Sequence, residues 1–225
     1  STMKTPVLVE VFKQATQGKF KLSDSIVLKN EFKSIVDGSP YSLSEGDDSD
    51  LPWYQRMGQK VSIYDLARAM IVRSSNLATN ILIELVGAES TTQTMRDLGL
   101  KDIMVRRGVE DSKAYAAGLN NSTTAYDLML LMERIGRGEA GRPADCREMI
   151  KILSDQEFND VIPTCLPADV QIAHKTGWIT QHHHDSALII SPEGRYFSFT
   201  ILSKGWTNET AANEAMGKVV EMAYR

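Results

Sequence analysis

The sequence predicts an α+β fold in which an antiparallel sheet is flanked by helices and joined to a helix-rich lobe. The middle of the chain carries apolar residues at helical spacing. Three runs in its last third have the composition of strands: 170–174, 187–190 and 196–202. The tight turn at 191–194 joins the last two runs as a hairpin, and a helix over 208–225 covers the sheet.

The helices are predicted from apolar spacing and from the residues that begin and end them. Residues 2–17 form a helix that begins beside Ser1, accommodates Pro6 in its first turn and stops at Gly18. A later helix is capped by Thr123-Thr124 and runs through Met132. The other predicted helices cover 62–73, 76–85 and 91–98, and the polar, glycine-containing stretches 36–60 and 106–121 are predicted loops.

This length and pattern indicate a single domain over 1–225. We expect a helical lobe over about 20–160, a sheet lobe over about 161–225, and the helix that follows Ser1 between them. No signal peptide is visible at the start of the sequence. If residues precede Ser1 in the full protein, we expect them to add strands to the sheet.

Composition excludes several classes of protein. The 225 residues are 42% apolar and 24% charged, as in an ordinary globular protein, and a net charge of −4 argues against a nucleic-acid partner. No apolar run has the length of a membrane span. Cys146 and Cys165 are too few for a disulfide framework, and both a single bridge and two unpaired thiols remain open.

Three short motifs combine residue types that suit acyl transfer. In Ser1-Thr2-Met3-Lys4, a helix starting at the serine places the lysine amine one turn away, where it can take up the hydroxyl proton. In Ser74-Ser75-Asn76, a hydroxyl and an amide lie in a turn before a strongly apolar helix. In His174-Lys175-Thr176-Gly177, an ammonium and a hydroxyl follow a strand and suit a substrate carboxylate. Each motif alone is weak, because surface pairs, helix caps and strand ends produce the same letters.

Together the motifs resemble the S-x-x-K, S-D-N and K-T-G set of class A β-lactamases and penicillin-binding proteins. Their order agrees with that set, with 73 residues from Ser1 to Ser74 and 101 from Ser74 to Lys175. The resemblance extends over nearly the whole chain and implies a β-lactamase/transpeptidase-like fold. It therefore identifies the chain as a candidate penicillin-recognising serine hydrolase.

The resemblance also implies roles for individual residues. Ser1 is the nucleophile that forms an acyl-enzyme, and Lys4 and Ser74 transfer its proton. Asn76 holds the side-chain amide of the substrate. The substrate carboxylate is bound by Lys175 and Thr176, and Gly177 leaves room beside the strand. The backbone N–H groups of Ser1 and Trp178 form the oxyanion hole.

The sequence departs from the family pattern at three places. Ser75 stands where the family carries an acid. For the base that activates the deacylating water, the loop 106–121 offers Glu110 first and Asp111 second, without the family's Glu-then-Asn spacing, so both can also be solvated loop acids. His184, within the run 182–184, falls near the place of the family's carboxylate-binding arginine; a metal site and a solvated turn are the alternatives for this run.

The predicted function is β-lactam ring hydrolysis through an acyl-enzyme on Ser1. The alternatives are a penicillin-binding D-alanyl-D-alanine carboxypeptidase or esterase with slow deacylation, a non-catalytic binding module, and an N-terminal nucleophile hydrolase activated by a free amine on Ser1. We expect a monomer that acts on a small β-lactam or peptidoglycan-like substrate without cofactor or metal. The resemblance implies a periplasmic or secreted location.

Overall fold

The computed structural model describes residues 1–224, which fall into two compact units. The helical unit is Met3–Thr123, and the sheet unit is Ser1–Thr2 together with Thr124–Arg225. The division therefore comes at Thr124 rather than near residue 160, and the helix after Ser1 belongs to the helical unit. The predicted α+β class with an antiparallel sheet is confirmed.

The helical unit is built from five helices and two small antiparallel ladders. Its helices are α1 Lys4–Thr16, α2 Ile63–Val72, α3 Asn76–Val86, α4 Ala88–Asp97 and α5 Ser112–Ala116. Its strands are β1 Ser25–Val27, β2 Phe32–Lys33, β3 Pro40–Tyr41 and β4 Lys60–Ser62, with β1 paired to β4 and β2 to β3. Short 3₁₀ turns lie at Glu45–Asp47 and Leu51–Arg56.

The helix signals in the sequence correspond to observed caps. Ser62 and Ser75 accept backbone hydrogen bonds at the starts of α2 and α3, from Asp65 and Ala78 respectively. Helix α1 is buried on nearly every side, because α2, α3 and α4 all pack against it. The predicted loop 106–121 contains the short helix α5, which the sequence interpretation missed.

The sheet unit contains a three-stranded antiparallel sheet between helices. Its elements are α6 Ala125–Gly136, α7 Pro143–Ser154, β5 Gln171–Ile179, β6 His182–Ile190, β7 Tyr196–Lys204 and α8 Glu209–Tyr224, with a 3₁₀ turn at Ile162–Cys165. The strand order is β5-β6-β7. Thr124 caps α6 as predicted. Helix α7 was not predicted, although Pro143 marks its first turn.

The sheet carries helices on both faces because side chains alternate along each strand. Ala187 and Ile189 pack with Met216 of α8, whereas the intervening Leu188 faces Gly136 of α6. Helices α6 and α7 thus belong with the sheet, which explains why the boundary lies at Thr124. In this packing Cys146 and Cys165 are both free thiols, so the alternative of a disulfide is wrong.

Candidate active site

In the helical unit the first two motifs meet through the Lys4 amine. Lys4 is completely buried at the start of α1. Its Nζ donates to the Ser74 carbonyl oxygen at 2.5 Å, the Ser74 Oγ at 3.1 Å and the Asn76 Oδ1 at 2.9 Å. The amine of the first motif thus contacts both the hydroxyl and the side-chain amide of the second motif.

The turn between α2 and α3 has an uncommon backbone conformation. Ser74 has φ 55°, in the left-handed region that non-glycine residues seldom adopt. This conformation directs both the carbonyl oxygen and the hydroxyl of Ser74 to the same amine. Backbone strain of this kind is concentrated at functional sites.

Glu110 joins this group, whereas Asp111 does not. The Asn76 Nδ2 donates to the Glu110 Oε1 at 3.3 Å, and the backbone N–H of Ser44 lies 3.4 Å from Oε2. Burial raises the pKa of the Glu110 carboxyl, and the hydrogen bonds from Ser44 and Asn76 oppose that shift. Glu110 is therefore the acid of this loop that is placed beside the motif residues.

Asp111 is the cap of α5 and a structural residue. Its carboxylate accepts from the Ser34 hydroxyl at 2.9 Å and from the backbone N–H groups of Ile35 and Ala114 at 3.0 Å each. Only 2% of the residue is exposed. These bonds hold the carboxylate at the start of α5, and none of them involves a residue of the three motifs.

The asparagines at the end of the same loop are also structural. Asn121 accepts from the backbone N–H groups of Arg106 and Arg107 and donates back to the Arg107 carbonyl oxygen. Asn120 accepts from the Arg107 guanidinium at 3.0 Å. The amide that contacts Glu110 is therefore Asn76, from the second motif.

In the sheet unit the third motif lies on the edge strand β5. Lys175 is completely buried, and its Nζ donates to the Thr176 carbonyl oxygen at 2.9 Å. Burial lowers the pKa of the Lys175 amine from 10.5 to about 7, and the Asp185 carboxylate opposes that shift. Near pH 7 the amine is thus divided between its charged and neutral forms.

The start of the chain lies against Gly177 in this unit. A Cβ at position 177 would come within 3.0 Å of the backbone nitrogens of both Ser1 and Thr2. A Cβ contact this short would require the neighbouring backbone to shift by a few tenths of an ångström, so glycine suits the close approach of the strand to the Ser1 backbone. The structure accordingly places the backbone N–H of Ser1 beside the strand that carries Trp178, the two predicted oxyanion-hole donors.

A cleft of about 180 Å³ borders this end of the sheet. It is lined by four of the predicted substrate-binding residues, Thr176, Gly177, Trp178 and His184. Its other lining residues are Phe158, Asp160, Val161, His183, Glu209 and Asn213. The Trp178 side chain is 61% exposed and so is available to a bound molecule.

His184 lies in β6, opposite Gly177 in the ladder, and not in a solvated turn. Burial lowers the pKa of its imidazole, so it is neutral near pH 7 and does not replace the charge of an arginine. Within residues 1–224 no group of three or more His, Cys, Asp or Glu side chains is arranged to hold a metal ion. The metal alternative for the histidine run therefore finds no support.

Two polar groups of the site were missed by sequence reasoning. His174 bonds through Nδ1 to the Asp185 Oδ1 at 2.9 Å and through Nε2 to the Asn159 Oδ1 at 3.1 Å, directly beside Lys175. Asp48, from the acidic loop, contacts the start of α3. Neither carries a local sequence signal, because each partner is distant in the chain.

Comparison with known proteins agrees with this geometry. A model of the Beta-lactamase enzyme family matches residues 1–225. Extended-spectrum beta-lactamase PER-1 of Pseudomonas aeruginosa is 23% identical over 244 residues, covering 100% of this chain and 73% of PER-1. Beta-lactamase CARB-3 of the same organism is 23% identical over 180 residues, so the match covers 79% of this chain and 58% of CARB-3.

Solved structures show the same fold. PBP-A superposes with a TM-score of 0.80 at 26% identity, covering 99% of this chain and 78% of PBP-A. A mutant of PBP-A, solved as an acyl-enzyme complex with penicillin-G, matches with the same values. The chain belongs to the Beta-lactamase enzyme family and is a β-lactamase-like serine enzyme, which confirms the resemblance drawn from the motifs.

Proposed function

We propose that β-lactams acylate Ser1 and that Glu110 activates the water that releases the product. The observation that carries this proposal is the network around Lys4, which contacts Ser74 and Asn76, with Asn76 in turn contacting Glu110. Ser1 lies three residues before Lys4 in the chain. Transfer of an acyl group to water requires the groups assembled in this proposal: a nucleophile, an amine, a hydroxyl, an amide and a carboxylate.

In the acylation step, the Ser1 oxygen attacks the lactam carbonyl carbon while its proton passes to Lys4. The lactam C–N bond then breaks, the Ser74 hydroxyl gives its proton to the leaving nitrogen, and Lys4 Nζ passes the proton taken from Ser1 to the Ser74 Oγ, 3.1 Å away. Over the whole acylation step the Lys4 amine ends as it began, and the proton of the Ser1 hydroxyl is replaced by one on the former lactam nitrogen.

In the deacylation step, the Glu110 carboxylate takes a proton from water as the water oxygen attacks the ester carbonyl, and that proton passes to the Ser1 oxygen as the ester C–O bond breaks. A general base of this kind contributes about 10²–10⁴-fold to a rate. Substrate binding is assigned to Lys175 and Thr176 for the carboxylate and to Asn76 for the side-chain amide. The penicillin-G acyl-enzyme of the PBP-A mutant supports a penicillin-like substrate for this fold.

One observation favours a second function, a penicillin-binding carboxypeptidase or esterase whose acyl-enzyme persists. After Glu110 the next asparagines are Asn120 and Asn121, and both are held by the loop arginines. A water activated by Glu110 would thus have one amide fewer to hold it than in the family pattern. This difference favours slower release than in efficient lactamases.

The expected setting of the enzyme follows from its proposed substrate. A periplasmic or secreted monomer would meet β-lactams and peptidoglycan-like peptides directly. Within the described residues 1–224, no helix combines the length and apolar character that spanning a membrane requires.

Labelling tests the proposal directly. Full-length protein is incubated with a fluorescent penicillin, the adduct is located by peptide mass spectrometry, and nitrocefin turnover is followed in parallel. We expect an adduct on Ser1 that is absent in Ser1→Ala and unchanged in Ser25→Ala, an exposed serine of β1. Rapid nitrocefin turnover favours the lactamase, and a lasting adduct favours the second function. If neither an adduct nor turnover is observed, both functions are contradicted and the non-catalytic binding module is the alternative that remains.

A further inference from the structure

The Ser74-Ser75-Asn76 turn has a serine where its family motif has an acid, and a carboxylate from a distant loop occupies the start of the helix that follows. Asp48 lies in the loop after β3 and is only 7% exposed. It is 28 residues from Asn76, so the contact depends on the tertiary fold.

Four hydrogen bonds hold this carboxylate in place. The Asp48 Oδ1 accepts from the backbone N–H of Asn76 at 3.1 Å and from that of Asp50 at 3.1 Å. The Oδ2 accepts from the backbone N–H of Leu77 and from the Tyr54 hydroxyl, both at 2.9 Å. Tyr54 is therefore an anchor of this loop.

Two residues share the capping of α3. The first N–H groups of a helix have no partner within the helix, and a negative charge is favoured beside them. The Ser75 hydroxyl accepts from the backbone N–H of Ala78 at 3.2 Å, and the N–H groups of Asn76 and Leu77 donate to Asp48. Without Asp48 the partly buried Asn76 donor and the buried Leu77 donor would lose this acceptor, at a cost in free energy.

This capping acts directly on the proposed active site. Asn76 uses its backbone N–H for Asp48 and its side chain for Lys4 and Glu110. Fixing the backbone thus fixes the amide that bridges the amine and the carboxylate. A displacement of about 1 Å in such a group can cost about 100-fold in rate.

We propose that Asp48 is a positioning residue that supplies, from the loop after β3, the carboxylate missing from the Ser74-Ser75-Asn76 motif. This inference rests on the proposed function, because it assigns the role through Asn76 and Lys4. It makes a specific prediction about position 75: an acid placed there takes over from Asp48.

The test measures the acylation rate constant with a penicillin by stopped-flow or quenched mass spectrometry. We expect Asp48→Ala to acylate about 10- to 100-fold more slowly than wild type. We expect the double variant Asp48→Ala/Ser75→Asp to recover to within about threefold of wild type, since aspartate caps helices as well as serine does.

Two controls separate positioning from stability. Ser62→Ala removes the cap of α2 in the same unit, so its melting temperature falls, by about 2–4 °C for each kcal/mol lost, without slower acylation. Glu45→Ala removes an exposed acid of the same loop and leaves both quantities unchanged. If Asp48→Ala does not fold, Asp48→Asn is used in its place, because the amide nitrogen of asparagine cannot accept a hydrogen bond.

Each outcome of this test either supports or overturns the proposed role of Asp48. Slow acylation by Asp48→Ala that Ser75→Asp repairs supports the proposal. Unchanged acylation by Asp48→Ala overturns it, and so does a double variant that stays slow while Ser75→Asp alone is active. If wild type itself is not acylated, the proposed function fails, and amide hydrogen exchange then tests the capping by Asp48. Faster exchange at Asn76 and Leu77 in Asp48→Ala supports the capping, and unchanged exchange overturns it.

Discussion

The buried Lys175 amine gives the sharpest physical prediction for this enzyme. The lowering of its pKa from 10.5 to about 7 corresponds, at 1.36 kcal/mol for each pH unit, to roughly 5 kcal/mol of preference for the neutral form in the folded state. Burial is the main cause, and the Asp185 carboxylate only partly opposes it. The charged form of Lys175 therefore lowers the stability of the folded protein.

The sign of the pH dependence follows from proton binding. Between about pH 7 and pH 10.5 the unfolded chain holds a proton on Lys175 that the folded chain has lost. Stability therefore rises with pH through this window. From pH 6 to pH 9 this single group contributes roughly 3 kcal/mol of added stability.

The perturbation that isolates this effect is Lys175→Met, which keeps an unbranched side chain, one heavy atom shorter, and removes the charge. We expect the variant to be more stable than wild type at pH 6, with the advantage shrinking by roughly 3 kcal/mol by pH 9. Urea unfolding of both proteins at each pH measures the difference. An advantage that stays constant from pH 6 to pH 9 would refute the reasoning.

A matched control and a kinetic readout complete the experiment. Lys218→Met, at an exposed lysine of α8, is expected to show no such trend. Lys175→Met should also reduce kcat/KM for a carboxylate-bearing β-lactam by about 10- to 100-fold, the value of a charged hydrogen bond. In wild type, KM should rise above pH 7 as the amine loses its proton.

Two further predictions separate neighbouring residues of the site. Glu110→Gln should trap the acyl-enzyme and lower nitrocefin turnover by about 100-fold or more. Asp111→Asn should instead lower the free energy of unfolding by about 1–3 kcal/mol and retain turnover. Intact-mass kinetics and urea unfolding measure the two effects, and equal turnover in both variants would contradict the prediction. Gly177→Ala should slow acylation by about 10²-fold, because its Cβ meets the backbone nitrogens of Ser1 and Thr2 at 3.0 Å and displaces an oxyanion-hole donor; stopped-flow acylation at the wild-type rate would argue against that placement.

Several parts of the fold could be predicted from neighbouring residues alone. Helices α2, α3 and α6 begin at the serine and threonine caps that the sequence displays, at Ser62, Ser75 and Thr124. Helix α5 was missed because its five residues are too few for a periodic pattern. The strand that contains the histidine run 182–184 could not be predicted from those residues alone, because its pairing with β5 is the feature that makes it a strand.

The residues of the candidate site could likewise be predicted only in part from the sequence. Motif order identified Lys4, Ser74 and Asn76, and the structure brings them into contact. The adjacent acids Glu110 and Asp111 could not be told apart, because their roles depend on partners 34 and 77 residues away. Only tertiary contacts show that one faces the site and the other caps α5.

The sequence by itself determined helices α1 to α4, α6 and α8, the three strands of the sheet and the motif residues, since spacing and caps are properties of neighbouring residues. The tertiary structure decided which carboxylates serve the site, the capping of α3 by Asp48 and the lowered pKa of Lys175. The physical reason is that burial and hydrogen bonding arise from groups far apart in the chain. Their effect on a charge exists only after the chain has folded.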